Sequence, residues 1–543
     1  MKEKNKILKS FLLATIICSC ADVNCNNCTN KMLNEKIIFE TDINLFMSNE
    51  NINNEEETSV NLLLKLNYDI LEGSEQFTNE EERKNFFKKA KNYYSELNNN
   101  IIKELEIEHL NYYSSIYSPY ISIMTSIDEV SKDEFAMLNE IANNDNIEMI
   151  YVSDICNNIP NFEGAKYYSG VRTYVNNGTY TGDGIVVGIL EPGILDIDHS
   201  NFVNTNITVR DEWYYSETIA EHTTMMGSII AGTKGVAPDC HLLSVELYGD
   251  AVSEIDWLLE NGVNVINLSY GDDSPTGNYS SKSAYMDFVV NTYKVSIVAS
   301  AGNTGESDAY VANPGLGYNV LTVGACSSSN SYARSFSSYK ENNGPRKPNI
   351  TAPGYSINLT PFSGSQNGTS FSAALTTGCV ALLMEKYPDL KYCPERVMSL
   401  IMASAKDGTD GCFANGLNEY IGAGALNFDK AVQNHVDAVI TFSESTSTQS
   451  GLTVSLNEGE KFRIVATWLA KADGSATGTS MTNYDIYFYD SNNNLITSQE
   501  TTIDCVELIE LEIPATDTYT IILKKKSTQV NEVEYVSMSY FTL

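Results

Sequence analysis

The segment Gly368-Thr369-Ser370-Phe371-Ser372-Ala373-Ala374 leads directly into an apolar helical run. A serine at the first turn of a buried helix has backbone N–H groups and the positive end of the helix dipole beside it, which suits an oxyanion developing during acyl transfer. Taken alone, the segment reads as a Ser/Thr cap on an ordinary core helix. Two further segments shift that balance. Glu221-His222-Thr223-Thr224 sets one of only five histidines at a helix start after a polar loop, where an imidazole can face a cleft and act as a general base. Ala299-Ser300-Ala301-Gly302-Asn303 ends an apolar strand with an amide able to donate a hydrogen bond, although Asn at a strand end is most often turn chemistry.

The elements that must hold these side chains lie between about residues 166 and 436. Near-continuous apolar runs at 184–190 (GIVVGIL), 241–247 (HLLSVEL), 263–268 (VNVINL), 295–299 (VSIVA) and 320–323 (VLTV) are expected of parallel strands buried on both faces. Helix candidates at 221–231, 253–260 and 284–293 separate them, so the pattern predicts a doubly wound α/β domain. Upstream, 81–105 reads as a helix, 117–125 as a strand, 132–144 as a helix and 148–152 as a strand, together a small α+β unit over 81–165. Residues 22–80, rich in Asn, Glu and Ser, read as a solvated and partly disordered lead-in. From 437 to 543 the pattern holds strands alone, which predicts a β-sandwich.

Composition narrows the function classes. The 543 residues carry 35 Lys plus Arg against 70 Asp plus Glu, a formal charge of -35, which argues against binding phosphate backbones and hence nucleic acid. A positive excess in MKEKNKILKS precedes the short apolar stretch 11–17, the pattern of a secretory signal peptide over 1–21. Cys20 offers a second processing route by lipid attachment. No later segment is apolar enough to be a transmembrane helix, so the expected location is secreted or cell-surface associated. Cys240 and Cys379 sit in apolar runs and read as buried thiols.

Taken as a linked set, GIVVGILEPGI, the histidine segment with IAGTKGVAP, VINLSYG, ASAGN, KPNITAPG and NGTSFSAA resemble the subtilisin-like serine proteases, in matching order and spacing. The resemblance covers about 270 residues. It implies Ser370 as nucleophile, His222 as general base, and Asn303 with the Ser370 N–H as oxyanion donors; Ser269-Tyr270-Gly271 would be an edge on which a substrate backbone pairs as an added strand. Thr304 and Ala312 lie where the family builds part of its main specificity pocket, with no acidic residue to mark a basic preference.

Two departures from the family pattern stand out. Glu191-Pro192-Gly193 replaces the family's Asp-Ser/Thr-Gly, making Glu191 the expected triad acid in preference to Asp196 and Asp198. Ala374 replaces a proline, a change of small expected effect because alanine is a good helix residue. Calcium is a candidate cofactor without a visible ligand set. The unit over 81–165 resembles the family's propeptide, and the sandwich resembles β-domains that follow secreted members. The resemblance thus predicts a secreted endopeptidase acting on polypeptides through an acyl-enzyme on Ser370. The rival is an impaired pseudoprotease that binds peptides or a partner protease.

Overall fold

The computed structural model describes residues 34, 36–39, 59–68, 71, 77, 79–153, 165–210, 219–272, 274–327, 332–357, 359, 361–362, 366–406, 415–433, 436–442, 449–475, 478–527 and 534–543. The signal-peptide reading over 1–21, including Cys20, lies outside them.

The N-terminal unit is a five-stranded sheet with two helices. Its strands are β1 (Ile37–Phe39), β2 (Ser59–Leu66), β3 (Asn111–Ser114), β4 (Tyr120–Ser126) and β5 (Ile147–Ser153), in the order β1-β5-β2-β4-β3. The helices are α1 (Glu80–Glu104) and α2 (Ile127–Ala142). This corrects the lead-in reading of 22–80: β2 is the middle strand, antiparallel to both β4 and β5, with Leu62, Leu63, Leu64 and Leu66 all buried. Its apolar run is short and its partners lie far along the chain, so the surrounding Asn and Glu residues dominate any local reading. Helix α1 starts where Asn79 accepts the Glu82 N–H at 3.0 Å, with three acidic residues in its first turn and Lys103 in its last, each sign complementing the helix dipole.

The central domain is built on seven parallel strands: β6 (Val186–Glu191), β7 (Asn206–Val209), β8 (His241–Glu246), β9 (Val265–Leu268), β10 (Ser296–Ser300), β11 (Leu321–Cys326) and β12 (Ile350–Pro353). Their order is β12-β11-β10-β9-β6-β8-β7. One face packs against α3 (Glu221–Ala231), α6 (Thr369–Lys386) and α7 (Pro394–Ser404). The other packs against α4 (Val252–Glu260) and α5 (Ser281–Tyr293), and through them against the N-terminal unit. Both faces are therefore covered, as the apolar runs require, and the doubly wound reading holds. Cys240 and Cys379 are buried free thiols in this core.

After the chain leaves β6 it adds β7 and β8 on one side, then crosses back to add β9 and the later strands on the other. The reversal point lies between β6 and β9, paired in parallel at Val187 to Ile189. The C-terminal ends of strands flanking such a reversal form a natural binding crevice.

The C-terminal region contains two four-stranded antiparallel sheets. The first orders the strands Val436–Phe442, Glu534–Thr542, Lys461–Thr467 and Val506–Glu512; the second orders Gln449–Leu456, Asp517–Ser527, Asn483–Tyr489 and Leu495–Gln499. Phe462, Ile464, Tyr484, Ile486, Phe488, Ile509 and Ile521 from both sheets fill the core between them. The sandwich docks on the central domain through Val465, Val506, Leu508 and Phe541, which join its apolar core, and through polar contacts. Asn319 and Ala470 exchange two hydrogen bonds at 2.7 and 2.8 Å, and Ser399 Oγ lies 2.8 Å from Oγ of both Ser537 and Ser539.

Candidate active site

Glu191 is the last residue of β6 and stays in register, paired with Glu246 of β8. Its side chain is fully buried. Oε1 accepts the Ser269 backbone N–H at 2.8 Å and Asn267 Nδ2 at 3.1 Å, so the residues across the strand-order reversal fix the carboxylate. Oε2 lies 3.2 Å from His222 Nδ1, an ion-pair distance without the alignment of a hydrogen bond. Neither Asp196 nor Asp198 forms an ion pair with His222; both sit in the following loop, where the Asp198 N–H bonds to Asp196 Oδ1. The longer Glu side chain therefore reaches the imidazole from the strand end itself.

His222 is held there by clips between α3 and the loop after Glu191. Thr223 Oγ1 donates to the Gly193 carbonyl at 2.9 Å, the Ala220 N–H donates to Ile194 O at 2.9 Å, and the Asp196 N–H donates to Thr224 Oγ1 at 3.1 Å. Gly193, at φ 92°, adopts the left-handed turn that lets the loop reverse. Gly227 lets the helix approach closely: a Cβ there would lie 2.2 Å from Leu195 Cδ1. With Nδ1 facing Glu191, His222 Nε2 is buried and has no hydrogen-bond partner. That unpaired nitrogen is a proton acceptor in waiting.

Ser370 lies in the first turn of α6. The Thr369 N–H donates to Asn303 Oδ1 at 3.0 Å and the Phe371 N–H to Gly368 O at 3.4 Å, which leaves the Ser370 N–H among the orphan donors of the helix start. Thr369 Oγ1 also donates to Asn303 Oδ1 at 3.1 Å. These two bonds orient the amide of Asn303 so that its Nδ2, which has no partner among the described residues, is the group left to donate. The Ser370 hydroxyl donates to the Ser269 carbonyl at 3.1 Å and not to His222. Ala374 lies inside an unbroken helix, so the missing proline leaves no kink.

The chain belonging to the edge Ser269-Tyr270-Gly271 continues from β9 beside Ser370, with Ser269 and Tyr270 buried. The Gly271 backbone N–H and carbonyl form no hydrogen bond among the described residues. The reading of the sequence missed Asn267 and Thr377. Thr377 Oγ1 donates to Asn267 Oδ1 at 3.0 Å, which turns Asn267 Nδ2 toward Glu191. The available signal was an asparagine in the middle of VINL, where a strand buried on both faces has no reason to carry one.

The subtilase family model matches residues 182–424. Subtilisin DY of Bacillus licheniformis is 30% identical over 276 residues, which cover 47% of this chain and 93% of that protein. This chain belongs to the subtilase family. Serine protease AprX of Bacillus subtilis is 27% identical to this subtilase over 315 residues, covering 49% of it and 70% of AprX. The solved structure of fervidolysin from Fervidobacterium pennivorans, described as a keratinolytic enzyme related to subtilisin, aligns with 89% of this subtilase and 71% of that chain at 17% identity and a TM-score of 0.49. The calcium raised by the resemblance finds no group of three His, Cys, Asp or Glu side chains able to hold a metal among the described residues. Among them, too, no helix is long and apolar enough to cross a membrane.

Proposed function

We propose that this subtilase is an exported serine endopeptidase that hydrolyses polypeptides through an acyl-enzyme on Ser370. The observation that carries the reading is the polarity of His222: one ring nitrogen faces the buried Glu191 carboxylate and the other is unpaired. In the reaction, rotation of the Ser370 hydroxyl away from the Ser269 carbonyl lets His222 Nε2 take its proton as Oγ attacks the substrate carbonyl. Glu191 holds the Nδ1–H tautomer and stabilises the imidazolium. The Ser370 N–H and Asn303 Nδ2 meet the oxyanion. His222 then returns the proton to the leaving amine, and water repeats the sequence to release the acid.

Labelling with a fluorophosphonate tests this directly. The reading requires a covalent adduct on Ser370 that disappears in Ser370→Ala and weakens in His222→Ala. A specific observation favours a second reading, a pseudoprotease that binds peptides without turnover: the Ser370 hydroxyl is bonded to a backbone carbonyl instead of His222. Peptide binding without labelling would support it.

The N-terminal unit is assigned here as a propeptide. Its packing on α4 and α5 supports this, with Phe87 and Tyr117 against Tyr293 and Tyr120 against Tyr285. Export by the leader over 1–21, with cleavage after Ala21 or lipid attachment at Cys20, completes the proposal. N-terminal sequencing of wild type and Ser370→Ala tests both: self-processing predicts that only the wild type loses the unit, whereas both lose the leader.

A further inference from the structure

A cavity of about 480 Å³ opens where three segments meet: Gly305-Glu306, the stretch from Tyr332 to Tyr339, and the loop from Asn418 to Ile421. None of Glu191, His222, Asn303, Ser370 or Ser269-Tyr270-Gly271 lines it. Its volume falls within the range of small-ligand sites, roughly 300–1,000 Å³.

The walls are fixed by short-range bonding. The Gly305 N–H donates to Phe336 O at 2.8 Å, and a Cβ built on Gly305 would lie 2.3 Å from Ser335 O, so the first two segments meet backbone to backbone. In the third, Asn418 and Gly422 exchange backbone hydrogen bonds at 2.9 Å, and Asn418 Oδ1 accepts the N–H groups of Tyr420 and Ile421 at 2.9 and 3.2 Å. The rings of Tyr339 and Tyr420 join the second wall to the third, with centres 4.5 Å apart. Tyr332 and Tyr420 remain 50% and 47% exposed, so the cavity offers aromatic surface that the fold itself does not cover.

Arg334 supplies the charge. Its guanidinium lies 3.7 Å from the centre of the Tyr355 ring, which holds it by one face. Its Nε is buried without a partner, and its side chain forms no ion pair or hydrogen bond among the described residues. In a chain with 70 acidic residues against 35 basic ones, an arginine without a carboxylate partner needs a reason. With one face and Nε closed off, the two Nη groups are left, and their spacing matches the two oxygens of a carboxylate. Asn418 adds a second donor: its Oδ1 is taken by backbone, and its Nδ2 forms no hydrogen bond among the described residues. The one acid in the lining, Glu306, is held by the Ser335 hydroxyl and keeps lone pairs for a ligand N–H.

We propose that this cavity binds the C-terminal residue of a peptide, with the carboxylate on Arg334 and Asn418 and an aromatic side chain against Tyr339 and Tyr420. A chain end brings a carboxylate, an N–H and an apolar side chain on one residue, which uses both donors, the acceptor and the rings together. An acidic side chain within a chain would use the donors alone. The site does not depend on Ser370 being a nucleophile.

Fluorescence anisotropy on the full-length Ser370→Ala protein tests this, with an N-terminally labelled tetrapeptide that ends in Phe with a free carboxylate. The amidated form and the peptide ending in Ala should each bind about tenfold or more weakly, as should the free acid with Arg334→Met, since a charge-assisted hydrogen bond contributes about 1.5–3 kcal/mol. Tyr420→Ala should weaken the free acid as well; it alters a half-exposed side chain on another wall and so stands as a test even if Arg334→Met fails to fold. Asn303→Ala should leave the affinity unchanged. Equal binding of acid and amide overturns the proposal, as does an amidated peptide with an internal Glu that binds as tightly as the free acid. Weakening by Asn303→Ala but not by Arg334→Met or Tyr420→Ala would place the peptide in the catalytic cleft and overturn it too.

Discussion

Ser269 and Ser370 hold each other reciprocally: the Ser370 hydroxyl donates to the Ser269 carbonyl at 3.1 Å, and the Ser269 hydroxyl donates to the Ser370 carbonyl at 3.0 Å. The substrate edge and the first turn of α6 are thereby one rigid piece. Ser269→Ala removes one arm and also the oxygen that accepts from Asn267 Nδ2 at 2.9 Å. A neutral hydrogen bond contributes about 0.5–1.5 kcal/mol. If that loss falls on positioning, kcat drops up to about tenfold, with little change in melting temperature. A melting temperature that collapses while activity per folded molecule stays constant would make the pair purely structural.

Glu191→Gln preserves shape but not polarity. Oε1 faces two donors, the Ser269 N–H and Asn267 Nδ2, so the amide oxygen must stay there and its NH2 group must face His222 Nδ1. The imidazole then takes the tautomer with a proton on Nε2, which cannot accept from Ser370. The loss expected in kcat is roughly 10³–10⁴-fold, in line with the equivalent change in a Ser-His-Asp triad. Glu191→Asp withdraws the carboxylate by about one bond length, ~1.5 Å, and should cost on the order of 10²-fold. Asp196→Asn and Asp198→Asn should retain near-normal rates. Steady-state kinetics at saturating peptide separate these outcomes, and a dead Asp196→Asn would reassign the acid.

Asn303→Ala removes the donor for the oxyanion together with the acceptor for Thr369. Because the negative charge exists only in the transition state, kcat should fall about 10²–10³-fold while KM changes little. Thr369→Val keeps the Asn303 amide and one of its two anchors, so it should fall between wild type and Asn303→Ala. Equal losses in kcat and in peptide affinity would show that Asn303 serves ground-state binding.

How far the sequence reveals this arrangement depends on where each signal sits. Helix α3 is legible to the residue, because a mostly apolar stretch from Met225 to Ala231 follows His222 and the two threonines and ends at Gly232. Glu191 is legible because the strand GIVVGIL has to end somewhere. In contrast, α2 begins at Ile127, earlier than the 132–144 reading, since it leaves β4 with no turn residue between them. The strand predicted from 117 begins at Tyr120, because residues just before it form the loop that docks on Asp256. Strands Val436–Phe442 and Glu534–Thr542 pair with each other from opposite ends of the sandwich, and only that long-range pairing distinguishes them from loop. Asn267 shows locally only as a polar residue inside an apolar strand, and Thr377 not at all, because a buried hydrogen bond between residues 110 positions apart leaves no trace near Thr377.

Arg463 joins the sandwich to the central domain. It is buried, its Nε lies 2.6 Å from Glu510 Oε2, and its Nη1 donates to the carbonyls of Met402 and Ala405 at the C-terminal end of α7. A cation at a helix C-terminus complements both the dipole and the orphan carbonyls. Arg463→Met strands the Glu510 carboxylate in a buried site and should destabilise the protein by about 3–5 kcal/mol. The double change Arg463→Met with Glu510→Leu should recover much of that loss, because it removes both desolvated charges. Urea unfolding of wild type, Arg463→Met, Glu510→Leu and the double variant measures the cycle, and additive losses would show that the pair is not coupled.

Asp256 gives the joint between the N-terminal unit and the central domain a pH dependence. This carboxylate on α4 accepts the Ser115 hydroxyl at 2.8 Å, the Ile116 N–H at 2.5 Å and the Tyr113 hydroxyl at 3.0 Å. Burial pushes its pKa up to about 7; the three donors pull it down, and nearby Glu260, which pairs with Lys91 across the same interface, adds repulsion. A carboxyl that prefers its proton when docked, and ionises near 4 when exposed, makes docking tightest at the acid end. That contribution is complete below the ordinary carboxylate range and is lost as pH rises toward 7, at no more than about 1.4 kcal/mol per unit. Asp256→Asn keeps an acceptor for Ile116 and Tyr113 and a donor for the Ser115 oxygen, but it cannot titrate. In a Ser370→Ala background, which prevents self-cleavage, the difference in unfolding free energy between the protein with Asp256 intact and its Asp256→Asn variant should therefore change between pH 4 and 7 and level off above. Hydrogen exchange across 111–126 supplies a local readout, with protection falling as pH rises only where Asp256 is present. A flat difference across that range would mean that the three donors hold Asp256 ionised throughout and that the joint ignores pH.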